Sequence, residues 1–412
     1  MEQKSGKNLK IINADYILTC NDRFELLRDT AICFEKNILD IDKLEILSEK
    51  YPQAEVIELP KNSLIMPGLI NPHVHLEFSA NKSSLRYGSF ITWLNSVIQK
   101  RDDLLAQCTD EVIEKQLKIM QKSGTTTFGA ISSFGNDFEA CVKTPQRVVF
   151  FTEILGSQAN SVDILFEDFK SRLRTVEKNE NERFIPAISI HSAYSTHPIL
   201  ARNALDIARK NKYVVSTHFM ESKAERDWLD GGKGEFNDFF NNFAPNARPM
   251  SSASEYIDLF YGIKTLFTHC VQATSKELEE IKNIGGSVTH CPVSNRLLGV
   301  GKLDISNLEN FTLGTDGLSS NISLNLWDEM RTTLFAHEKE ELSSLATKVI
   351  QAVTSNGAKA LNLNCGEITK DKFADFIVCE LTSDLEKVDD IVLELILNTK
   401  FTKATYVAGE KL

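Results

Sequence analysis

The stretch MPGLINPHVHLEF, residues 66–78, decides the fold, because an apolar run ends there in two histidines separated by one residue. We predict that Leu64–Ile70 is an extended strand and that His73 and His75 follow at its end. On an extended chain, residues i and i+2 point to the same side, so the two imidazoles can reach one metal ion. Such a pair is common by chance, and its meaning depends on what the rest of the chain places beside it.

Seven further apolar runs follow, and helical patterns lie between them. The runs are Thr125–Ile131, Arg147–Leu155, Phe184–Ile190, Tyr213–His218, Thr265–His269, Ser287–His290 and Phe311–Thr315. The helical patterns are Asp110–Lys122, Val162–Lys178, Ile199–Lys210 and Ser275–Asn283. Eight strands that alternate with helices over roughly 300 residues predict an α/β fold of the (β/α)8 barrel type.

Strand-like runs also flank this region at both ends of the chain. Lys10–Cys20, Thr30–Glu35 and Ala54–Leu59 precede the barrel, and Ala374–Glu380 and Lys403–Val407 follow it. We predict one small β-sandwich module made from residues 1–63 and 365–412, around a catalytic barrel of residues 64–364. A separate β-domain at the C-terminal end is the alternative.

The composition excludes several classes of protein. Of the 412 residues, 42% are hydrophobic and 25% are charged, which is typical of a globular fold and rules out a disordered or fibrous chain. With 46 Lys and Arg against 57 Asp and Glu, the formal net charge is −11. Proteins that bind nucleic acid or anionic membranes usually carry a basic face, so we expect neither partner.

Cysteine spacing and the N-terminal residues bear on the compartment. The eight cysteines include no CxxC pair, which argues against a thiolate zinc ribbon and a disulfide-stapled domain. Residues 1–10 are polar and lysine-rich, and Asn13 and Asp15 interrupt the apolar stretch behind them, so it makes a poor secretory signal. No apolar run approaches the ~18 residues that a membrane span needs. We expect a cytoplasmic protein.

The positions of the histidines are the most informative pattern in the chain. Six of the eight lie at the ends of predicted barrel strands, and Asp316 follows the eighth strand. The six are His73, His75, His191, His218, His269 and His290. Catalytic residues of such barrels lie at the carboxyl ends of the strands. We therefore expect the set at one mouth of the barrel, whereas unrelated core or surface histidines would be scattered.

Three imidazoles and one carboxylate suit a single divalent metal. We predict His73, His75, His218 and Asp316 as the ligands, a set that leaves room for one water on the ion. Zn2+ is the ion that we expect, and Fe2+ is the alternative, because both accept nitrogen and carboxylate donors. Either ion lowers the pKa of a bound water toward neutrality.

Two further residues are candidates for proton transfer in the same pocket. Glu221 lies three residues after His218 and can shuttle a proton there; the alternative is a surface glutamate on the following helix. His269 exceeds the four-ligand set. We interpret it as holding or polarising the attacking water beside Asp316, with a fifth ligand or a hydrogen-bond partner of a ligand as the alternatives.

Several motifs match a known pattern when they are taken together. They are MPGLINPHVH, THFMES, FTHC, THCPVSNRLLGVG, GTDGLSSN, TSNGAKALNL and, near the end of the chain, KFADFIVCE. This set resembles the amidohydrolase superfamily and specifically its deaminase branch. The resemblance implies a distorted (β/α)8 barrel, a TIM barrel, with a small β-sandwich formed by both termini. Two-metal members resemble each other in a bridging lysine on the fourth strand, and FIPAISIHS (residues 184–192) has none, which favours one metal.

Within that branch, four stretches resemble the aminofutalosine deaminases of the menaquinone pathway in epsilon-proteobacteria. They are YGSFITWLNSV (residues 87–97), STHFMES (216–222), CPVSNRLL (291–298) and TDGLSSNISL (315–324). The S-adenosylhomocysteine and 5′-methylthioadenosine deaminases are also similar, but they usually carry a glutamate for the ribose after the tryptophan. Here residues 97–102 read VIQKRD, which disfavours adenosylhomocysteine as the substrate.

The resemblance implies an aminohydrolase that converts 6-amino-6-deoxyfutalosine and water into futalosine and ammonia. In that reaction a metal-bound hydroxide attacks C6 of the adenine ring, and Asp316 takes the proton of the water and later passes one to the leaving amine. Glu221 protonates ring N1, and His269 steadies the developing alkoxide. His191 matches a family position that contacts the substrate.

Arg296 is a further candidate for substrate binding. The implied substrate ends in a benzoate, and the planar guanidinium fork suits a carboxylate. The alternative is a surface arginine or one that pairs with a protein carboxylate. We expect a small purine nucleoside as the partner, and a homodimer is compatible with an enzyme of this size, since twofold dimers are the commonest oligomers.

Three other functions are weighed against this one. A deaminase of adenosylhomocysteine, methylthioadenosine or adenosine is the nearest alternative. A barrel that has lost catalysis would be expected to lack ligands, whereas His73, His75, His218, Asp316 and Glu221 are all present. A nucleic-acid deaminase is disfavoured, because the PCxxC half of its zinc signature is absent from the chain.

Overall fold

The structure is a computed structural model that describes residues 9–242, 246–382, 385 and 387–412. Two eight-stranded sheets organise these residues. One is a mixed sheet from the two ends of the chain, called here the terminal sheet, and the other is a parallel barrel from the middle of the chain. Most of the polar N-terminal segment, residues 1–8, lies outside the described residues.

The strands and helices of the described residues have the following bounds. The strands are β1 (Lys10–Leu18), β2 (Leu26–Phe34), β3 (Ile38–Asp42), β4 (Glu55–Glu58), β5 (Ser63–Pro67), β6 (Leu69–Val74), β7 (Thr125–Ser132), β8 (Arg147–Ile154), β9 (Phe184–Ser192), β10 (Val215–Phe219), β11 (Thr265–His269), β12 (Ser287–His290), β13 (Phe311–Leu313), β14 (Phe376–Glu380), β15 (Ala404–Val407) and β16 (Glu410–Lys411). The helices are α1 (Leu44–Lys50), α2 (Phe90–Gln107), α3 (Asp110–Lys122), α4 (Phe138–Lys143), α5 (Val162–Lys178), α6 (Pro198–Asn211), α7 (Lys223–Gly231), α8 (Glu235–Asn241), α9 (Ala253–Asp258), α10 (Ser275–Asn283), α11 (Pro292–Leu297), α12 (Leu326–Ala336), α13 (Leu342–Ala352), α14 (Ser355–Ala360) and α15 (Val388–Asn398), with a 3-10 helix at Ala159–Ser161.

The terminal sheet joins both ends of the chain, as predicted. Its strand order is β16-β15-β14-β5-β1-β2-β3, and β4 pairs with β1. Phe34 from the N-terminal part packs edge-on against Phe376 from the C-terminal part, with ring centroids 5.1 Å apart, and Phe376 stacks on Tyr406 at 4.6 Å. Because these aromatic rings form one core with each other, the C-terminal strands are not a separate β-domain.

The run Leu64–Ile70, which we expected to be the first barrel strand, is divided between the two sheets. β5 pairs with β14 in the terminal sheet, and the first barrel strand is β6. Gly68 lies between the two strands, where the chain passes from the terminal sheet to the barrel. A Cβ atom at this position would come within 2.1 Å of the Thr126 side chain, so the position needs a residue without a side chain. The division of the chain at residues 63–64 and 364–365 stays a prediction, with β5 lying outside the barrel.

The barrel consists of β6 to β13 in chain order, and each strand is parallel to its neighbours. The backbone N–H of Asp316, after the last strand, donates to the carbonyl of His73 at the end of the first, at 3.1 Å. The backbone N–H of Thr315 donates to Asn71 Oδ1 at 3.2 Å. These bonds link the two edges of the sheet, and the predicted (β/α)8 fold is confirmed.

Helices cover the barrel with the periodicity that the sequence indicates. In α3 the buried residues are Ile113, Leu117 and Met120, which share one face because they are four and three residues apart. Full burial of such a side chain contributes about 1.5 to 3 kcal/mol. The helix ends before Gly124, whose φ of +93° an L-residue rarely adopts.

Two further sequence expectations concern the whole described chain. Among the described helices, none is both long and apolar enough to cross a membrane. The eight cysteines are free thiols, and all of them are buried. These buried positions agree with the expectation, drawn from the cysteine spacing, that the cysteines form neither a thiolate zinc ribbon nor disulfide staples.

A buried ion pair connects the terminal sheet to the barrel. Arg147, the first residue of β8, donates from Nε and Nη2 to Asp375 Oδ2 at 3.1 and 3.0 Å, and both side chains are fully buried. Its Nη1 donates to the carbonyl of Glu182 at 2.7 Å, and the guanidinium lies 4.0 Å from the centroid of the Phe373 ring. The buried guanidinium therefore has hydrogen-bond acceptors for its nitrogens and an aromatic ring against its planar face.

Substitution Asp375→Asn should lower the free energy of unfolding by about 3 to 5 kcal/mol, because it leaves a buried guanidinium without its counter-ion. Urea denaturation followed by circular dichroism measures the change. The matched control is Glu380→Gln, which removes the solvent-exposed pair with Lys403 and should cost less than about 1 kcal/mol. Equal losses in the two variants would show that the buried pair is not a special contact between the sheets.

Candidate metal and catalytic site

The structure brings the predicted site residues together at the carboxyl ends of the barrel strands. β6 leads to His73 and His75, and β10 and β11 contain His218 and His269. The ring centroid of His73 lies 5.0 Å from that of His75, 4.9 Å from that of His218 and 6.1 Å from that of His269. Residues far apart in sequence therefore form one cluster, because parallel strands end at the same mouth of a barrel.

Three imidazole nitrogens of this cluster converge on one point. The Nε2 atoms of His75 and His218 are 3.2 Å apart, and Asp316 Oδ1 lies 3.6 Å from His75 Nε2 and 3.8 Å from His73 Nε2. The Nε2 atom of His73 is buried without a hydrogen-bond partner. Buried nitrogen lone pairs that face each other without a donor are costly unless a cation satisfies them, so the arrangement suits a metal ion.

The outer nitrogens of two of these rings have hydrogen-bond partners, and the carbonyl beside His218 fixes the tautomer of that ring. His218 Nδ1 donates to the carbonyl of His191 at 2.8 Å, and His73 Nδ1 lies 3.2 Å from Thr268 Oγ1. A neutral imidazole that carries its proton on Nδ1 presents a lone pair on Nε2. Partners of this kind are the usual support of metal-binding histidines.

The charges of the cluster also match a metal site. Burial, followed by the neighbouring imidazoles, lowers the pKa of His73 well below its usual value and that of His218 to about 3, so both rings are neutral at pH 7. Burial raises the pKa of Asp316, but the surrounding imidazoles, chiefly His75 and His269, bring it below its usual value. The site therefore offers neutral nitrogens and one carboxylate anion.

Hydrogen bonds orient the carboxylate of Asp316. Its Oδ2 accepts from the hydroxyls of Ser294 and Ser320 at 2.8 and 2.9 Å, while Oδ1 faces the imidazoles. The backbone φ of Asp316 is +56°, a conformation that costs an L-residue free energy and often occurs at functional sites. Gly317 follows it, where a Cβ would come within 2.8 Å of His75, so only glycine allows this approach.

Glu221 is a buried carboxyl group on the other side of His269. Its Oε1 lies 3.5 Å from His269 Nε2, and its backbone N–H donates to Glu225 Oε2 at 2.9 Å. Burial, then the charges of Asp316 and Glu225, raise its pKa well above the usual value. In this pocket the pKa of Asp316 is therefore lowered and the pKa of Glu221 is raised, so the two carboxyl groups differ in their tendency to hold a proton.

His191 stands at the side of the cluster. Its Nδ1 contacts Ser195 Oγ at 2.6 Å, and burial lowers its pKa to about 4. One ring nitrogen of His191, one ring nitrogen of His218 and one carboxylate oxygen of Glu153 lie within 4.8 Å of one another. Ser189 Oγ donates to Glu153 Oε1 at 3.1 Å. Glu153 was not among the predicted site residues, although it too lies near the end of a predicted strand, because no histidine marks that strand end.

A run of aromatic rings extends from His191. The centroid distances are 6.0 Å from His191 to Tyr194, 4.5 Å from Tyr194 to Phe236, 6.0 Å from Phe236 to Phe90 and 5.6 Å from Phe90 to Trp93. These five residues are called here the aromatic wall; Tyr194, Phe236 and Phe90 are buried in the core, and His191 and Trp93 at the two ends are partly exposed. The sequence contains no local signal for the wall, because Phe236 reaches it from α8, far along the chain.

Arg296 lies in the last turn of α11, which follows β12, and its side chain is exposed. Within the described part of the chain, no carboxylate forms an ion pair with it. The adjacent residue Leu297 accepts a hydrogen bond from the N–H of Gly88 at 2.7 Å. This bond ties α11 to the segment before α2, which carries Trp93.

Comparisons with known proteins agree with this geometry. A solved structure of Helicobacter pylori aminofutalosine deaminase in complex with methylthio-coformycin superimposes with a TM-score of 0.93 at 33% identity, over 98% of this chain and 100% of that one. In sequence, the aminodeoxyfutalosine deaminase of a Nitratiruptor species is 44% identical over 405 residues, which cover 98% of this chain and 99% of that protein.

Two further matches complete the comparison. A protein of Helicobacter pylori named adenosine deaminase is 34% identical over 411 residues, which cover 98% of this chain and 99% of that protein. The model of the amidohydrolase family matches residues 64–411. Because that match spans most of the chain and the two relatives align along its full length, the chain belongs to the amidohydrolase family.

Proposed function

We propose that this protein is a hydrolytic deaminase that converts 6-amino-6-deoxyfutalosine and water into futalosine and ammonia, a step of menaquinone biosynthesis. The observation that carries the chemistry is the pair of buried carboxyl groups, Glu221 and Asp316, whose pKa values move in opposite directions beside three converging imidazoles. An acid and a base in one dry pocket are what deamination of a purine needs. The full-length likeness to aminodeoxyfutalosine deaminase supports the choice of substrate.

The residues that would hold a divalent metal are His73, His75, His218 and Asp316. When bound, such an ion acts as a Lewis acid that makes water nucleophilic at neutral pH. We propose Zn2+, because nitrogen and carboxylate donors in a four-ligand set suit it; Fe2+ accepts the same donors. Elemental analysis of the purified protein distinguishes the two ions.

The protein's own groups then move the protons. Asp316, held as an anion, accepts a proton from the attacking water, and the Ser294 and Ser320 hydroxyls hold its carboxylate in place. Glu221 gives its proton to ring N1, so that negative charge does not accumulate on the ring when the C6–O bond forms. The proton on Asp316 then passes to the amino group, the C6–N bond breaks and ammonia leaves, while the hydroxyl proton on the C6 oxygen returns to Glu221, so that both carboxyl groups regain their starting states.

The remaining candidates would bind the nucleoside and its tail. His191 lies beside the metal-binding rings and begins the aromatic wall, so it suits a contact with the ribose or the base. We propose Arg296 for the carboxylate of the benzoate, because the guanidinium is exposed and has no ion-pair partner among the described residues. We further propose a cytoplasmic protein, compatible with its buried free thiols, that acts as a homodimer on a small molecule and not on nucleic acid.

A second candidate is deamination of adenosine or of another 5′-substituted adenosine, since one full-length relative is named adenosine deaminase. A panel assay decides between them by comparing kcat/KM for aminodeoxyfutalosine, adenosylhomocysteine, methylthioadenosine and adenosine. We expect aminodeoxyfutalosine to be preferred by at least about tenfold, which corresponds to about 1.4 kcal/mol of differential binding in the transition state. A higher value for any other nucleoside would contradict the proposed substrate.

The variants Asp316→Asn and Glu221→Gln form a matched pair that separates metal binding from proton transfer. Both replace a buried carboxyl group by an amide of the same shape. Asp316→Asn should lose metal and ammonia release together, as chelation should in the wild type. Glu221→Gln should keep the metal while kcat falls by about two to four orders of magnitude. Loss of metal from the Glu221 variant would show that Glu221 is a ligand.

Substitution Arg296→Met tests the carboxylate contact. It should raise KM for aminodeoxyfutalosine by about tenfold or more, because a charge-assisted hydrogen bond is lost, and leave KM for adenosine unchanged. Arg248→Met, at another arginine of the chain, serves as the control. An equal change for both nucleosides would exclude Arg296 from recognition of the carboxylate.

A further inference from the structure

A line of four buried side chains starts at His269 and leads away from the site. His269 Nδ1 lies 2.9 Å from Asn295 Oδ1, Asn295 Nδ2 lies 3.4 Å from His290 Nδ1, and His290 Nε2 lies 3.3 Å from His337 Nε2. His337 follows α12 near the charged residue Lys302. The proposed reaction does not use Asn295, His290 or His337.

The three contacts allow one consistent arrangement of protons for this amide orientation. A neutral imidazole carries a single N–H, and the side-chain amide has one acceptor atom and one donor group. With Asn295 Oδ1 toward His269, the proton of His269 must be on Nδ1. With Nδ2 toward His290, the Nδ1 of His290 must accept, so its proton is on Nε2 and is donated to His337.

The other side of His269 is compatible with the same arrangement. Its Nε2 is buried without a hydrogen-bond partner and faces Glu221 Oε1 at 3.5 Å and Asp316 Oδ2 at 4.0 Å. The reverse orientation of the amide would put a proton on Nε2. That N–H would face these carboxyl oxygens without a hydrogen bond at either distance, and Nε2 would have no lone pair with which to accept from water.

The side-chain amide of Asn295 limits what this hydrogen-bonded line of residues can transmit. A carboxamide neither gains nor loses a proton readily near neutral pH, so it does not pass protons between the two histidines as a carboxylate or a water can. What passes along the line is orientation, because each hydrogen bond fixes the direction of the next donor. Positions behind a functional histidine commonly act in this way.

We propose that Asn295 is a positioning residue that holds His269 in the Nδ1–H tautomer, with His290 and His337 keeping its amide in the required orientation. His269 Nε2 then offers a free lone pair to the reacting water, which fits the expected role of polarising the water and not that of steadying an alkoxide. The use of that lone pair rests on the proposed deamination, whereas the tautomer itself does not.

The test combines a spectrum with kinetics. In the zinc-loaded enzyme with 15N-labelled histidine, the His269 signals, assigned by comparison with His269→Gln, should show a protonated Nδ1 and an unprotonated Nε2. Asn295→Leu, which has a similar shape and no polar atom, should lose this single tautomer and lower kcat about 10- to 100-fold, with KM changed less than about threefold. His337→Phe, at the far end, should have the same effect to a smaller extent.

Gln146→Leu is the matched control, because it removes a buried amide that donates to Thr125 at the opposite end of the barrel. It should leave the His269 signals and kcat unchanged. A wild-type proton on Nε2, or an Asn295→Leu variant with normal signals and normal kcat, would overturn the proposal. If Asn295→Leu does not fold, the wild-type spectrum and His337→Phe still decide. An enzyme inactive on aminodeoxyfutalosine would refute the function and leave the tautomer result intact.

Discussion

The hydrogen bond from the Asp316 amide to the His73 carbonyl is the constraint on which the site depends. It links the last barrel strand to the first, so one carboxylate comes to lie beside two histidines that are more than two hundred residues away in sequence. The approach is possible because Gly317 has no side chain to meet His75. The same contact therefore closes the barrel and brings the carboxylate to the imidazoles.

Burial raises the pKa of two carboxyl groups at this mouth, but their neighbours shift the two pKa values in opposite directions. Asp316 is surrounded by imidazoles, which outweigh the cost of burying its charge and keep its pKa low. Glu221 faces the charges of Asp316 and Glu225 in addition to burial, and its pKa is raised. These environments suit the two carboxyl groups to the proposed roles of base and acid, since different surroundings commonly give two carboxyl groups different roles.

Much of the fold was predictable because barrel elements are local. The bounds of α3, α5, α10, β11 and β12 agree with the patterns in the sequence, since hydrophobic periodicity and helix-ending glycines act over a few residues. The run Leu64–Ile70 was misassigned because an apolar stretch does not show which of two sheets it enters. That choice depends on Gly68 and on pairing with β14, more than three hundred residues later.

The sequence alone determined which donors exist and that they stand at strand ends, because strand periodicity and residue chemistry are local properties. Only the tertiary structure decided their partners. The Ser294 and Ser320 hydroxyls on Asp316, the aromatic wall that reaches Phe236, and the line from Asn295 to His337 join residues that no spacing rule connects. Protonation and tautomer depend on such neighbours, since burial and hydrogen bonding set them.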